Sequence, residues 1–254
     1  MTVVEDDHLT SGWEPDVPAS DSIVRATLLA WADRMRQQAA STGATLVDGD
    51  GFVQHETGVG NAFFNSTLLL RPPASVDEIG TAIRGHDGPF VLWSAWPTPD
   101  LRPLGLELMG HPPFMVRPAG GGSRAVPDRL EIAEVTTTAE LAEFETTLIE
   151  GYPLTGRRPG PGQFFGPGIL GSATRFWLGR CDGRTVAVAG SHAAHGVVIV
   201  EWVACRTEAR GRGFGAAVTA AAALVAPSLP AVLLASDDGR RVYESLRFLP
   251  ITRF

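Results

Sequence analysis

The sequence predicts an α/β (α+β) fold: a mixed, mostly antiparallel sheet flanked by helices. Three observations carry that expectation. Strand-like segments Arg175–Cys181, Arg184–His192 and Val197–Ala204 follow one another through Asp182-Gly183 and His195-Gly196, pairs suited to two-residue hairpin turns. A glycine-rich loop then opens an alanine-rich helix. Between two patterned regions lies PAGGGSRAVP, residues 118–127, whose glycines and prolines suit a linker.

After the linker, Leu130–Val135 has strand character, and Thr137 with Glu140 forms a capping box before the helical spacing of Leu141, Phe144 and Leu148. A loop rich in glycine and proline follows from Gly151 to Gly168. Beyond the three hairpin strands come a helix to about Val225, a strand at Ala231–Ala235, a helix through Leu246 and a strand at Phe248–Thr252. The order is β-α-β-β-β-α-β-α-β. The first half echoes part of it: a helix on Val24, Leu28, Trp31 and Met35, strands near Ala44–Asp48, Gly51–Thr57 and Ala62–Leu70, a helix from Ser75, a strand at Phe90–Trp96 and a helix to Met109. Either an internal duplication or the general similarity of α+β chains accounts for the echo. The expected organisation is a tandem: residues 1–117, the linker 118–127, and residues 128–254.

Composition narrows the function. With 254 residues, 44% of them hydrophobic, the chain has material for a well-buried core. The acidic start, Met1 to Asp7, is not followed by an apolar stretch, and no apolar run approaches the ~20 residues that span a bilayer, so a soluble, cytoplasmic protein is expected. Cys181 and Cys205 have no zinc-site companions, so neither a disulfide nor a metal is expected. All 21 basic residues are arginine, which points to a GC-rich bacterial genome. The net charge of -7 and the lack of a basic stripe exclude a nucleic-acid module. Residues 1–120 hold 15 acidic and 7 basic side chains, whereas residues 121–254 hold 13 and 14, which makes the second half the better host for an anion.

The segment Val197–Ala223 concentrates the chemistry. An apolar strand leads through an arginine-rich connection to glycines 211, 213 and 215 and then a helix. Glycines let successive N–H groups converge, and the free N–H groups and dipole of a helix start favour a phosphate or pyrophosphate. No Lys-Ser/Thr pair follows, so this is not a nucleotide-triphosphate loop. Gly211, Gly213 and Ala216 satisfy a dinucleotide fingerprint, but Asp237 and Asp238 come late and antiparallel hairpins precede the loop, which rules out a doubly wound sheet.

Arg210-Gly211-Arg212-Gly213-Phe214-Gly215 resembles the pyrophosphate loop Q/R-x-x-G-x-G/A of the GNAT superfamily of N-acetyltransferases at every fixed position. The tail LLASDDGRRVYESLRF, Leu233–Phe248, is similar to that family's last signature segment. The resemblance covers roughly the second half and implies the acyl-coenzyme A N-acyltransferase fold, with acetyl-coenzyme A as co-substrate and a primary amine of a small molecule or protein as acceptor. It implies that Trp202, Val203 and Ala204 line the pantetheine arm and that Val203 offers an amide to the thioester oxygen. Arg210, Gly211, Arg212, Gly213, Phe214, Gly215 and Ala216 would take the pyrophosphate, with Ser236, Arg240 and Tyr243 completing the coenzyme site. Arg206 and Arg241 are further candidates for the coenzyme's ribose phosphate. Tyr243 stands where many members place a general acid; a phenol, with a pKa near ~10, stays protonated at neutral pH. Glu201, a carboxylate inside the apolar VVIVEWVA, either serves as general base on the face of Ile199 and Val203 or points to water. The alternative from another class is a catalytically silent acyl-coenzyme A binding protein.

Two features depart from the family. Arg247 replaces the usual glycine, and only one strand ends the chain, so the first half is expected to supply the missing one. In the echo, Arg71-Pro72-Pro73-Ala74-Ser75 holds the place of the loop and has two residues without an N–H, so no coenzyme is expected there. The first half would instead give a wall of the acceptor site, a completed sheet or a contact of a homodimer. Trp93, Trp96, Phe63 and Phe64 line that wall or fill a core. His192, His195, His55, His86 and His111 and the thiol of Cys205 are expected to be structural or inert.

Overall fold

In a computed structural model, which describes residues 23–122, 125–152 and 162–254, two sheets share one central helix. Ser123 and Arg124 of the expected linker, and residues 153–161 of the expected loop, lie outside the described residues. The first sheet has four strands in sequence order: β1 (Thr45–Gly49), β2 (Phe52–Glu56), β3 (Ser66–Leu69) and β4 (Val91–Trp93). Its first two pairings are antiparallel, and β3 runs parallel to β4 through helix α2 (Val76–Ala82). Helix α1 (Ile23–Thr42) precedes them.

The second sheet has seven strands, in the order β11, β5, β10, β9, β8, β7, β6. Its members are β5 (Pro113–Arg117), β6 (Leu130–Glu134), β7 (Thr174–Cys181), β8 (Arg184–Ala194), β9 (Val197–Cys205), β10 (Ala231–Leu234) and β11 (Leu249–Arg253). Helices α3 (Thr138–Gly151), α4 (Phe214–Ala223) and α5 (Asp237–Ser245) connect them. The run β7, β8, β9, α4, β10 repeats the pairing pattern of β1, β2, β3, α2, β4, including the parallel last pair. Strand β5, which precedes the linker, inserts between β10 and β11 and pairs antiparallel with both, so the sheet takes its missing strand from the first half.

Local chemistry accounts for the elements. Asp182 and Gly183 have φ of 52 and 76, and His195 and Gly196 have 49 and 79, the paired positive values of a type I′ hairpin turn. Thr137 and Glu140 close the expected capping box on α3. Two expectations fail: the strand expected at Ala62–Leu70 opens as a 3-10 turn at Ala62–Phe64 capped by Asn61 and is extended only over Ser66–Leu69, and the helix to Met109 is a 3-10 turn at Arg102–Leu104, ended by Gly105 at φ 77. Pro103, Gly105, Gly110, Pro112 and Pro113 deny that stretch a continuous helical ladder.

Helix α1 is the keystone of the packing. Its Leu28, Trp31 and Met35 share a cluster with Val53 and Leu68 of the first sheet and with Phe114, Ile199 and Val232 of the second. Helix α4 covers the opposite face of the second sheet, where Phe214, Ala217 and Val218 pack on Ala187, Val198 and Val200. A third cluster lies under α3, around Phe144, Phe165 and Phe176. There the buried carboxylate of Glu145 accepts backbone N–H groups, that of Phe165 at 2.8 Å and that of Gly162, anchoring the incoming loop.

Candidate active site

Strand β9 organises the site because it separates from its neighbour. It pairs with β10 only at Val198 and Ile199, so the β10-facing edge from Val200 onward is open. A register shift between Val188 and Gly190 of β8 gives β9 a bulge at Trp202 and Val203, and Trp202 takes φ 52. Gly190 admits this turn: a Cβ there would stand 2.5 Å from the Trp202 ring. The bulge also corrects the expected alternation. Ile199 packs with the α1 cluster, whereas Val203 packs with the α4 cluster, so Glu201 and Val203 serve opposite faces.

At the far end of β9, a 3-10 turn at Thr207–Ala209 leads through Arg210 and Arg212 to Gly213, the N-cap of α4 at φ 80. Gly211 has φ 73. Both values lie in the left-handed region that favours glycine. The helix start leaves the N–H groups of Phe214, Gly215 and Ala216 without intrahelical acceptors. The segment from Gly211 to Ala216 thus combines two left-handed glycines with a helix start. Arg210 spends its guanidinium on the carbonyls of Gly151 (2.8 Å) and Cys205 (3.3 Å), bracing the loop from outside. Arg212 lies 4.5 Å from the centre of the Phe214 ring.

In the first half, the corresponding turn is closed. Ser75 caps Glu78 N at 3.2 Å, the Glu78 carboxylate accepts Ala74 N–H at 2.7 Å, and Arg71 pairs with Glu78 at 2.6 Å. Its polar groups are used internally.

On the α1 face of the second sheet, the opening of β9 and β10 forms the floor of a cavity of about 160 Å³. Ile199 to Trp202 and Val232 to Leu234 line it from the sheet, while Trp31, Arg34, His55, Phe63, Phe64, Trp93 and Phe114 line it from the first half. Trp96 lies elsewhere, in the core around α1 and α2. Glu201 is in the cavity but does not point to bulk water. Arg34 holds it, with Nε–Oε2 at 2.8 Å and Nη2–Oε1 at 3.3 Å. The guanidinium also donates to Gln38 Oε1 at 2.7 Å and sits 5.0 Å from the centre of the Trp202 ring. Burial pushes the Glu201 carboxyl above the usual carboxylate range, and Arg34 opposes the shift.

Tyr243 is half-buried on α5, with its ring edge-on to Phe248 at 6.1 Å, and it does not line the cavity. Burial raises its phenol, with Tyr152 adding to the effect, so it carries a proton throughout the physiological range. Tyr152, at the end of α3, does line the cavity and sits within electrostatic reach of both Glu201 and Tyr243. Sequence reasoning gave it no role; its one signal was that the chain has only two tyrosines. Arg34 carries no sequence signal, and Trp31, read as a helix residue, and His55, expected to be structural, reach the cavity from a helix and a strand remote in sequence.

Several expected coenzyme contacts are occupied within the fold. Ser236 caps α5 by accepting Gly239 N–H at 3.1 Å, and Arg240 pairs with Glu244 at 2.8 Å. Arg206 donates to Thr185 O at 2.8 Å and pairs with Glu150, so it braces β8 against α3. Burial pushes the Cys205 thiol up, away from the reactive thiolate. His192 bridges Asp33 (3.1 Å) and Thr174 (2.9 Å), and His86 bridges Glu56 (2.6 Å) and Thr67 (3.0 Å); both rings are buried within the packing.

No family model and no curated protein matches the sequence. Solved structures do. A GCN5-related N-acetyltransferase from Kribbella flavida superposes with a TM-score of 0.67 at 20% identity, over 92% of this chain and 94% of that one. A GNAT-family putative acetyltransferase from Novosphingobium aromaticivorans gives 0.53 at 18% identity, over 86% and 92%. A functionally unknown conserved protein from Staphylococcus epidermidis gives 0.54 at 10% identity, over 84% and 92%. The chain has the fold of the GNAT superfamily.

Proposed function

We propose that this chain, built on the GNAT fold, is an acetyltransferase that moves an acetyl group from acetyl-coenzyme A to a primary amine. One observation carries the reading. Strand β9 parts from β10 after Ile199, and it runs from a cavity that contains a carboxylate toward the glycine-turned start of α4. The coenzyme supplies an activated acyl group as a thioester.

The chain's own groups divide the remaining tasks. The main-chain amides from Gly211 to Ala216 bind a diphosphate, and the unpaired edge of β9 receives the pantetheine arm. Val203 and its neighbours Trp202 and Ala204 lie on that edge. Glu201, held by Arg34, takes the proton that an attacking amine must lose, and the phenol of Tyr243 gives a proton to the departing thiolate. The first half, read as a related fold without a coenzyme site, walls the acceptor cavity. Free coenzyme release from acetyl-coenzyme A with a panel of amines tests the reading, together with thermal stabilisation by coenzyme A. Turnover is expected in the intact protein. Gly213→Val should lose the stabilisation, because φ 80 does not suit valine and a side chain there obstructs the phosphate. Stabilisation without turnover on any amine would favour a silent binding protein, and stabilisation retained in Gly213→Val would place the coenzyme elsewhere.

A further inference from the structure

We infer that the cavity between the two sheets selects a compact, largely apolar acceptor with a single amine, of the arylalkylamine type, rather than a polyamine or a lysine-bearing peptide. This rests on the acetyltransferase reading and extends it to the substrate. Rings contributed from both halves, Trp31, Trp93, Phe64 and Phe114 with Tyr152 and Trp202, form the largest group in the lining, beside the polar Thr27, Gln38 and Ser66. Aromatic walls suit a flat apolar body, which gains by burial and by ring-to-ring contact. At about 160 Å³ the space falls below the roughly 300–1,000 Å³ of drug-sized sites, so the acceptor is small.

Charge narrows the choice further. Among the described lining residues the charged ones are Arg34 and Glu201, and they neutralise each other at 2.8 Å. His55, buried beside Arg34, is held neutral. A second or third ammonium would therefore enter a desolvated space with no uncompensated carboxylate among the described lining residues, and Arg34 would repel it. A single amine needs only the one carboxylate, to which it gives its proton.

The test uses the full chain with non-reactive coenzyme A present, so that binding is read apart from chemistry. Calorimetry compares phenethylamine, spermidine and a short lysine peptide. Phenethylamine is expected to bind at least tenfold tighter than either of the others, and Trp93→Ala is expected to weaken it about tenfold while leaving coenzyme A stabilisation intact. If Trp93→Ala fails to fold, Phe63→Ala, at the exposed rim, offers the same comparison. Spermidine or the peptide binding as tightly as phenethylamine, or phenethylamine binding unaltered by the substitution, would overturn the inference. Acetylation is then read on the same amines. Tight phenethylamine binding without acetylation would sink the enzymatic reading and leave the cavity's selectivity standing.

Discussion

Replacing Arg34 by methionine probes the contact that ties the two halves to the chemistry. The substitution keeps an apolar stem of similar length and removes the guanidinium, whose side chain is 8% exposed, from a carboxylate that is 18% exposed. Taking one partner from a buried pair costs about 3–5 kcal/mol, because the other charge is left without compensation. The lost donation to Gln38 and the lost contact with the Trp202 ring lie inside that range. Denaturant unfolding, followed by tryptophan fluorescence, measures the deficit. The pairing predicts that Glu201→Gln placed on top of Arg34→Met recovers part of the loss, with a coupling of about 1–3 kcal/mol. Acidity gives an independent check. Burial raises the Glu201 carboxyl, and without Arg34 nothing opposes the shift. A carboxyl raised in the fold is favourable when protonated, and its contribution is lost as pH climbs through the raised value. The deficit of Arg34→Met should thus be small in acid and grow toward neutral pH. A deficit below about 1 kcal/mol, or strict additivity of the two substitutions, would refute the reasoning.

Three further outcomes are expected. Tyr243→Phe should lower turnover by about 10²-fold or more, with the unfolding midpoint retained, since the phenyl ring keeps its packing on Phe248; an unaltered rate would remove the phenol from the mechanism. Arg247 holds φ 68, so Arg247→Gly should raise stability by about 0.5–1 kcal/mol in denaturant unfolding, the relief of a left-handed backbone less the extra freedom of glycine in the unfolded chain; a lower midpoint would refute it. Burial depresses His55 to about 3 and His192 to about 4, against an ordinary 6.5. The unfolded chain therefore binds more protons in that window, and stability is complete above the ordinary value and falls as pH drops toward those numbers. Thermal midpoints across pH should show this decline, and His55→Gln should make it shallower; an equally steep decline in that variant would acquit His55.

What the sequence disclosed and what it withheld follow from range. Asp182-Gly183, His195-Gly196 and the Thr137–Glu140 box act within four residues, and the structure realises each of them. Gly213 before α4 belongs to the same class, and so does the family's glycine position at Arg247, whose φ of 68 shows why glycine is usual there. The bulge at Trp202 is also local in form, but its cause is the register with β8, which a strand pattern does not encode. Strand β5 was not assigned from the sequence at all, and its place between β10 and β11 depends on chain more than a hundred residues away.

The cavity side of the site is the extreme case. Arg34 and Glu201 are separated by 167 positions, and neither has a motif around it. A buried carboxylate in an apolar strand signals that some partner exists, because desolvation demands one, but not which residue it is. The geometry supplies that answer through α1, which the fold places between two sheets rather than on the outside of one. With α1 there, the arginine reaches the open stretch of β9 from the side opposite the glycine turn of α4. The glycine turn and the Arg34–Glu201 pair then lie on opposite faces of the second sheet, and the cavity around the pair draws its lining from both halves of the chain. The glycine turn was legible because it sits within one short motif, whereas the pair in the cavity does not. Under the proposed function, substitutions in α1 and β2 to β4 are expected to change acceptor preference while the loop at 211–216 stays as it is.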